Sequence, residues 1–306
     1  VAGNGGACRQ DRLSPCTAHQ RPAVPTPPPA QGLSTLDHNA RMKLQLLSDL
    51  HLEANPEFIP TPAPGADLLV LAGDVGSYQL RRDGSAMSEP DWGLGRFADW
   101  PVPVLFVPGN HEYDALDVDE AHDRLRAACE RLGLIWLERE THLTQGVRFV
   151  GTTLWSDYDA LGEREKAYRA ANHYLARMAG QRDGRLFDAE AMRALALECQ
   201  HWLRGALAEP FDGPTVVVTH FAPTLHSADP RYGLTPGTAG FCNGLDAWLA
   251  QADLWLHGHL HCPTDVQVGR CRIVANPLGY AVKNEQDGFL PHQLIDVPRQ
   301  PSPAAV

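Results

Sequence analysis

No apolar run approaches the ~18 residues that begin to span a bilayer, and residues 1 to 41 of the 306-residue chain lack the uninterrupted apolar core of a secretory signal. Neither membrane insertion nor export is therefore expected. The seven cysteines, Cys8, Cys16, Cys129, Cys199, Cys242, Cys262 and Cys271, form no C-x-x-C pair. Their odd number and wide scatter suggest reduced thiols and a cytoplasmic protein. Positive charge is also scarce: 26 Lys and Arg stand against 37 Asp and Glu, a net charge of −11. That balance opposes nonspecific binding to DNA, RNA or anionic membrane, and no basic track favours a nucleic acid partner. An anionic substrate would need positive charge placed locally, which bound divalent cations supply. There is no internal repeat, and nothing in the sequence sets the oligomeric state.

What is present reads as an ordinary globular chain, long enough to bury a substantial core. Residues 1 to 41 are rich in Pro, Gly and Ala, including Pro25-Thr26-Pro27-Pro28-Pro29, and carry neither helical nor strand periodicity. Disorder is expected there. Met42 then opens a strand pattern, Lys43-Leu44-Gln45-Leu46-Leu47, so the extension reads as an upstream translation artefact or an appended segment. Apolar runs at 68 to 72, 102 to 107, 148 to 154, 215 to 219 and 254 to 257 alternate with helical patterns at 115 to 132, 163 to 179 and 188 to 208. This alternation predicts an α/β domain over residues 42 to 300, followed by a tail at 301 to 306. Residues 156 to 214 carry no ligand motif and are expected to be a helical insertion, turning at Gly180 to Gly184. A structural role for this insertion is weighed slightly ahead of substrate shaping.

Chemistry enters where the apolar runs stop. In order come Asp49-x-His51, Gly73-Asp74, Gly109-Asn110-His111-Glu112, His220 and Gly258-His259-x-His261. Taken singly most are weak: D-x-H arises by chance, Gly-Asp after a strand is commonly a turn, and a lone His220 reads as a strand terminus. Gly-Asn-His-Glu after Val104-Leu105-Phe106-Val107-Pro108 is more specific, and Gly-His-x-His after Leu254-Trp255-Leu256 more so. If Asp49 and His51 end a strand, their i, i+2 spacing projects both from one side, and His259 and His261 repeat the device. Motifs closing several strands of one sheet converge along an edge, a geometry that would build a two-metal site. Mixed imidazole, carboxylate and amide donors suit Mn, Fe, Zn, Co or Ni better than Ca.

The five motifs together resemble those of the calcineurin-like metallophosphoesterase superfamily and span residues 49 to 261. The resemblance implies two facing mixed β-sheets flanked by helices, with metals at the strand ends between them. It also implies that Asp49, His51, Asp74 and His261 bind one divalent ion, and Asp74, Asn110, His220 and His259 a second, with Asp74 bridging. Two such ions acidify a shared water to hydroxide and neutralise charge developing on phosphorus oxygens. His111, outside that ligand set, matches the family histidine that assists the leaving group, expected as general acid. His257 is expected in a supporting or packing role, and ordinary loop roles are expected for His226, Tyr113 and Asn243.

Departures from related patterns narrow the substrate. Gly73-Asp74 is followed by Val75-Gly76-Ser77-Tyr78, without the Asp-Arg-Gly signature whose arginine clamps phosphate in the superfamily's phosphoprotein phosphatases. Guanidinium groups supply bidentate phosphate recognition, so that loss argues against a dedicated phosphoserine phosphatase. Ser48-Asp49-Leu50-His51-Leu52 resembles the bacterial branch that contains phosphodiesterases and cyclic nucleotide hydrolases, and Thr219-His220-Phe221 stands where several relatives have Thr-His-His. The expectation is a hydrolase of phosphomonoesters or small phosphodiesters. A non-catalytic metal-bound scaffold, a phosphoprotein phosphatase and a nuclease are the rivals.

Overall fold

Short runs of β-branched and aliphatic residues become strands buried on both faces, a pattern that parallel sheets covered on each side require. The computed structural model describes residues 41–78 and 90–297, so the expected extension up to residue 40 and the tail at 301 to 306 lie outside the described residues. In chain order the elements are β1 (Lys43–Leu47), β2 (Leu68–Ala72), β3 (Val104–Val107), α1 (Val118–Leu132), β4 (Ile135–Trp136), β5 (Glu140–Thr144), β6 (Val147–Thr152), α2 (Arg164–Met178), β7 (Gln181–Arg182), β8 (Arg185–Leu186) and α3 (Ala189–Ala208). They continue with β9 (Thr215–Thr219), β10 (Leu254–His257), β11 (Thr264–Val268), β12 (Cys271–Ala275) and β13 (Leu294–Asp296), with short 3-10 turns between.

Two large mixed sheets result, one ordered β13-β1-β2-β3-β4 and the other β11-β12-β10-β9-β6-β5. Within the first, β1 to β4 run parallel and β13 is antiparallel; in the second, β12, β10, β9 and β6 run parallel between antiparallel edges β11 and β5. One core cluster joins Leu44, Leu46, Val70, Ala72, Leu105 and Val107 of the first sheet to Phe149, Val216, Val218, Leu254, Leu256 and Val274 of the second. The alternate residues Leu69, Leu71, Phe106, Val217 and Trp255 belong to a second cluster that includes Leu125 of α1 and Leu203 of α3. The period of two along each strand thus assigns one face to the facing sheet and the other to a helical layer. Parallel pairing of β1 with β2, β2 with β3 and β9 with β10 brings their carboxyl ends out on common edges, where the polar motifs follow.

The helices match their patterns to within a few residues, and their ends have local causes. Asp117 caps α1 by accepting from Asp119 N and Glu120 N, and Gly133, at φ 72°, closes it. The helix therefore starts at Val118 rather than 115. Asp188 caps α3 through Ala191 N. Between α2 and α3, where a plain turn is expected from Gly180 to Gly184, a two-residue β-hairpin forms instead, pairing Gln181 with Leu186. No helix among the described residues is long and apolar enough to cross a membrane.

Trp255, at the centre of β10, is fully buried and donates Nε1 to Thr219 Oγ1 at 3.0 Å. Truncating it to alanine should cost about 3–5 kcal/mol and leave the threonine hydroxyl without its donor. Urea unfolding of Trp255→Ala checks this; a loss under about 1 kcal/mol would contradict the packing described.

Candidate metal centre

Each motif occupies the loop leaving a strand, and five of its side chains sit on unusual backbone. Asp49, His51, Asp74, His259 and His261 have φ of 52°, 45°, 53°, 72° and 48°. Non-glycine residues with positive φ are uncommon, and such strain concentrates at functional sites, where surrounding contacts hold it. The i, i+2 pairs therefore do not project from the end of a strand as expected. Their chain has already curled, and backbone hydrogen bonds pin the curl: Asp49 N to Gly73 O and His51 N to Asp74 O, both at 3.0 Å, knit the first two motifs together.

The approach is close. A Cβ on Gly109 would collide with Asp74 Oδ1, and one on Gly258 with Asp49 Oδ2, so glycine at both positions is a matter of space rather than turn type. Two groups of side chains converge as a result. Ligand-capable atoms of Asp49, His51, Asp74 and His261 all lie within 4.8 Å of one another, and so do those of Asp74, His220 and His259. Asn110 reaches the second group, its Oδ1 lying 3.2 Å from His220 Nε2. All seven residues read as candidate ligands are thus assembled, with Asp74 common to both groups.

The hydrogen-bond roles reveal what such a cluster requires. His51 Nδ1 faces Glu53 Oε1 at 3.0 Å, His261 Nδ1 faces Glu285 Oε2 at 2.6 Å, and His220 Nδ1 faces the Ala72 carbonyl at 2.8 Å. Carboxylates and carbonyls accept, so each Nδ1 carries a hydrogen and each Nε2 is left as the inward atom. Inward, however, they meet more acceptors. His51 Nε2 is 3.0 Å from His261 Nε2, and His220 Nε2 is 3.1 Å from Asp74 Oδ2. Asp49 Oδ2 and Asp74 Oδ2 are buried without a hydrogen bond. Lone pairs gathered at these distances repel unless positive charge lies among them. In the metal-free protein that charge is protons. Burial pulls His220 and His261 down, but the Asp74 charge on the first and the Asp49 and Glu285 hydrogen bonds on the second overcome it, holding both at about 9. Burial pushes Asp49 up, and the bond and charge of His261 outweigh it, holding the carboxyl at about 2. A divalent cation satisfies the same atoms without protons, and the donor set fits one.

Two acidic residues, Glu112 within the third motif and Asp114 just beyond it, hold this arrangement in place without being candidate ligands. Glu112 takes the backbone N–H groups of Gly109, Asp74 and Val75 at 2.7, 3.0 and 2.6 Å, tying the second motif to the third. Burial and the nearby Asp74 charge push its carboxyl up to about 8 against those donors. A cation on Asp74 would cancel the second cause and favour the anion the donors call for. Asp114 Oδ2 lies 2.5 Å from His111 Nδ1 and also accepts from Ser77 Oγ at 2.9 Å. Burial pulls His111 down, yet the Asp114 and Asp74 charges hold it well above the ordinary histidine range. Its ring centroid is 4.9 Å from that of His51, and its side chain is 16% exposed, which sets it beside the cluster and open to solvent.

The remaining polar residues raised by the sequence stay outside. His257 is buried between Gly258 O and Ser227 Oγ, and burial pushes it down to about 4. Asn243 bonds Trp155 O, and His226 is an exposed side chain near Asp246. Tyr113 packs on Trp155 and lines a cavity of about 120 Å³ with His122, Glu138, Arg139 and Arg182. That cavity shares none of the converging side chains, and its arginines are paired with Glu138 and Asp119. A smaller pocket, of about 20 Å³, does reach the site, and Tyr113 lines it too, with Leu175 and Met178 of α2, Met192 of α3, Asn110 and Asp114. Glu112 stands inside the third motif, and Glu53 and Asp114 each lie two residues beyond one, where extending the motif finds them. Tyr280 and Glu285 carry no local signal.

The family sequence model described as calcineurin-like phosphoesterase matches residues 42–263. The chain belongs to that family. Among solved structures, this phosphoesterase is similar to the phosphopantetheinyl hydrolase of Mycobacterium tuberculosis, with TM-score 0.63, 23% identity and coverage of 87% of this chain and 99% of that one. It is also similar to a dimetal phosphatase from Danio rerio, with TM-score 0.44, 14% identity and coverage of 82% and 90%. No curated protein matches its sequence. At these identities the structural likenesses speak for the fold alone.

Because His220 and His261 are held at about 9 without metal, they are protonated at pH 7 and must lose those protons to act as ligands. Metal uptake should therefore release protons at pH 7, and apparent affinity should rise with pH until about 9. Calorimetric titration in buffers of differing ionisation enthalpy measures the release; none at pH 7 would contradict this reading.

Proposed function

We propose that this calcineurin-like phosphoesterase is a metal-dependent hydrolase of phosphomonoesters or small phosphodiesters, working with two divalent transition ions. Asp49, His51, Asp74 and His261 would hold one ion, and Asp74, Asn110, His220 and His259 the other. The observation that carries this is the inward crowding of Nε2 atoms and buried carboxylate oxygens, which protons relieve in the metal-free chain and divalent cations would relieve in their place. When bound, such a pair supplies an acidified water and positive charge for the phosphoryl oxygens.

The chain's own groups supply the rest. Asp114 orients His111 through Nδ1 and favours its protonated form, which leaves Nε2 with a proton to give to the departing oxygen. This is general acid catalysis by a histidine whose charged neighbours keep it loaded at neutral pH. Ser77 Oγ donates to the same Asp114 oxygen and helps to fix it. Retention of this pair weighs against a non-catalytic scaffold, since binding alone would not need it. The missing Asp-Arg-Gly arginine weighs against a phosphoprotein phosphatase. Leu175, Met178 and Met192, beside Asn110 and Asp114, would offer the leaving group an apolar wall, giving the 156 to 214 insertion a part in substrate choice. Five unpaired cysteines among the described residues agree with work in the cytoplasm.

The test is a metal-loaded panel of p-nitrophenyl phosphate, bis(p-nitrophenyl) phosphate, cyclic nucleotides and a phosphopantetheinyl diester, the last prompted by the Mycobacterium tuberculosis neighbour. Turnover should vanish on chelation and with Asp74→Ala, and fall about 10²- to 10⁴-fold with His111→Ala. Asp114→Asn should lower turnover and move the alkaline limb of the pH profile to lower pH. No hydrolysis by wild type above the variants would overturn the proposal.

A further inference from the structure

The two clusters are built on unequal supports. In the first, both imidazoles are backed by buried carboxylates, Glu53 on His51 and Glu285 on His261. In the second, His220 Nδ1 is backed by the neutral Ala72 carbonyl, and among the described residues His259 bonds through its backbone N, to Asp49 Oδ1 at 2.8 Å, and not through its ring. It lies instead between Phe221 and Phe241, at centroid distances of 4.0 and 5.0 Å, and Phe241 is 43% exposed. The first cluster owns one carboxylate, Asp49, in addition to the shared Asp74, whereas the second adds only the neutral amide of Asn110.

Glu285 is also placed with unusual care for a residue outside any motif. The segment after β12 returns to the first motif, with Leu278 N on Ser48 O at 3.0 Å and Gly279 N on Asp49 O at 2.9 Å. Gly279, at φ 69°, has no room for a Cβ against Glu285. Glu285 Oε2 accepts from Tyr280 N at 2.9 Å as well as from His261, and Asn55 Nδ2 donates to Gly279 O at 2.9 Å. Tyr280 then stacks on His51 with centroids 4.3 Å apart and planes at 27°. One loop thus clamps both imidazoles of the first cluster and neither of the second.

We propose that Glu285 and Glu53 are positioning residues that make the cluster of Asp49, His51, Asp74 and His261 the high-affinity metal site, leaving the cluster around His220 and His259 to exchange its ion readily. This deepens the dinuclear reading above and rests on it. A carboxylate accepting from Nδ1 fixes the tautomer and ring orientation and raises the basicity of Nε2, whereas a carbonyl does less and a ring stack nothing for basicity.

The experiment titrates the metal-stripped full chain with Co(II), following visible absorption and heat, and counts ions remaining after dialysis. Wild type should show two separable events and keep one ion. Glu285→Gln should weaken the tighter event about 10- to 100-fold and move the weaker one less than about threefold, and Glu53→Gln should do likewise. The melting temperature of the metal-free protein should stay near wild type, a readout that a merely structural role would lower. Phe241→Ala should affect only the weaker event. The proposal is overturned if both variants leave the tighter event unchanged, if they weaken both events alike, or if metal-free stability falls without a change in affinity. Wild type binding no Co(II) would sink the metal reading itself, and this proposal with it.

Discussion

The structure is organised around a deficit of positive charge at one spot. Three imidazoles with their Nδ1 hydrogens committed elsewhere turn lone pairs inward onto two buried carboxylates and an amide oxygen. Burial makes each of these contacts costly, because a charge or lone pair removed from water needs a specific partner. In the metal-free chain protons on His220 and His261 fill the gap, and divalent ions would fill it in the working state. The positive φ values at Asp49, His51, Asp74, His259 and His261, and the close passage of Gly109 and Gly258 against carboxylate oxygens, go with packing so many donors together.

The sheets exist, in this light, to deliver loops. Their parallel strands are too short and too buried to carry function themselves, yet pairing in register sets the motif-bearing ends side by side. The Glu112 carboxylate then locks the loops after β2 and β3 to each other by accepting from their backbone N–H groups, so Asp74, common to both groups of side chains, is tied down at its main chain. Rigidity of that kind is what a site needs when its ligands must meet within tenths of an ångström.

Much of this was legible beforehand, and what was missed has a physical reason. Apolar runs such as Leu68–Ala72 and Thr215–Thr219 announced their strands, and the polar residues ending them announced the ligands. The strands β11 and β13 carry a weaker signal, because β11 alternates burial and exposure over only five residues and β13 spans three. The curled backbone at Asp49 and His51 was invisible because nothing in a D-x-H spacing distinguishes a strand end from a left-handed turn. Glu285 and Tyr280 were hidden for a different cause: their roles come from long-range return of the chain, 24 residues beyond His261 for Glu285 and 229 beyond His51 for Tyr280.

If cations occupy the space among these donors, anomalous X-ray scattering from crystals of the Mn(II)-loaded protein locates them. Two peaks sharing Asp74 are expected, one bounded by Asp49, His51 and His261 and the other by Asn110, His220 and His259. Crystals showing no peak there at saturating metal, or peaks bound elsewhere while these side chains keep their protonated contacts, would contradict that occupancy.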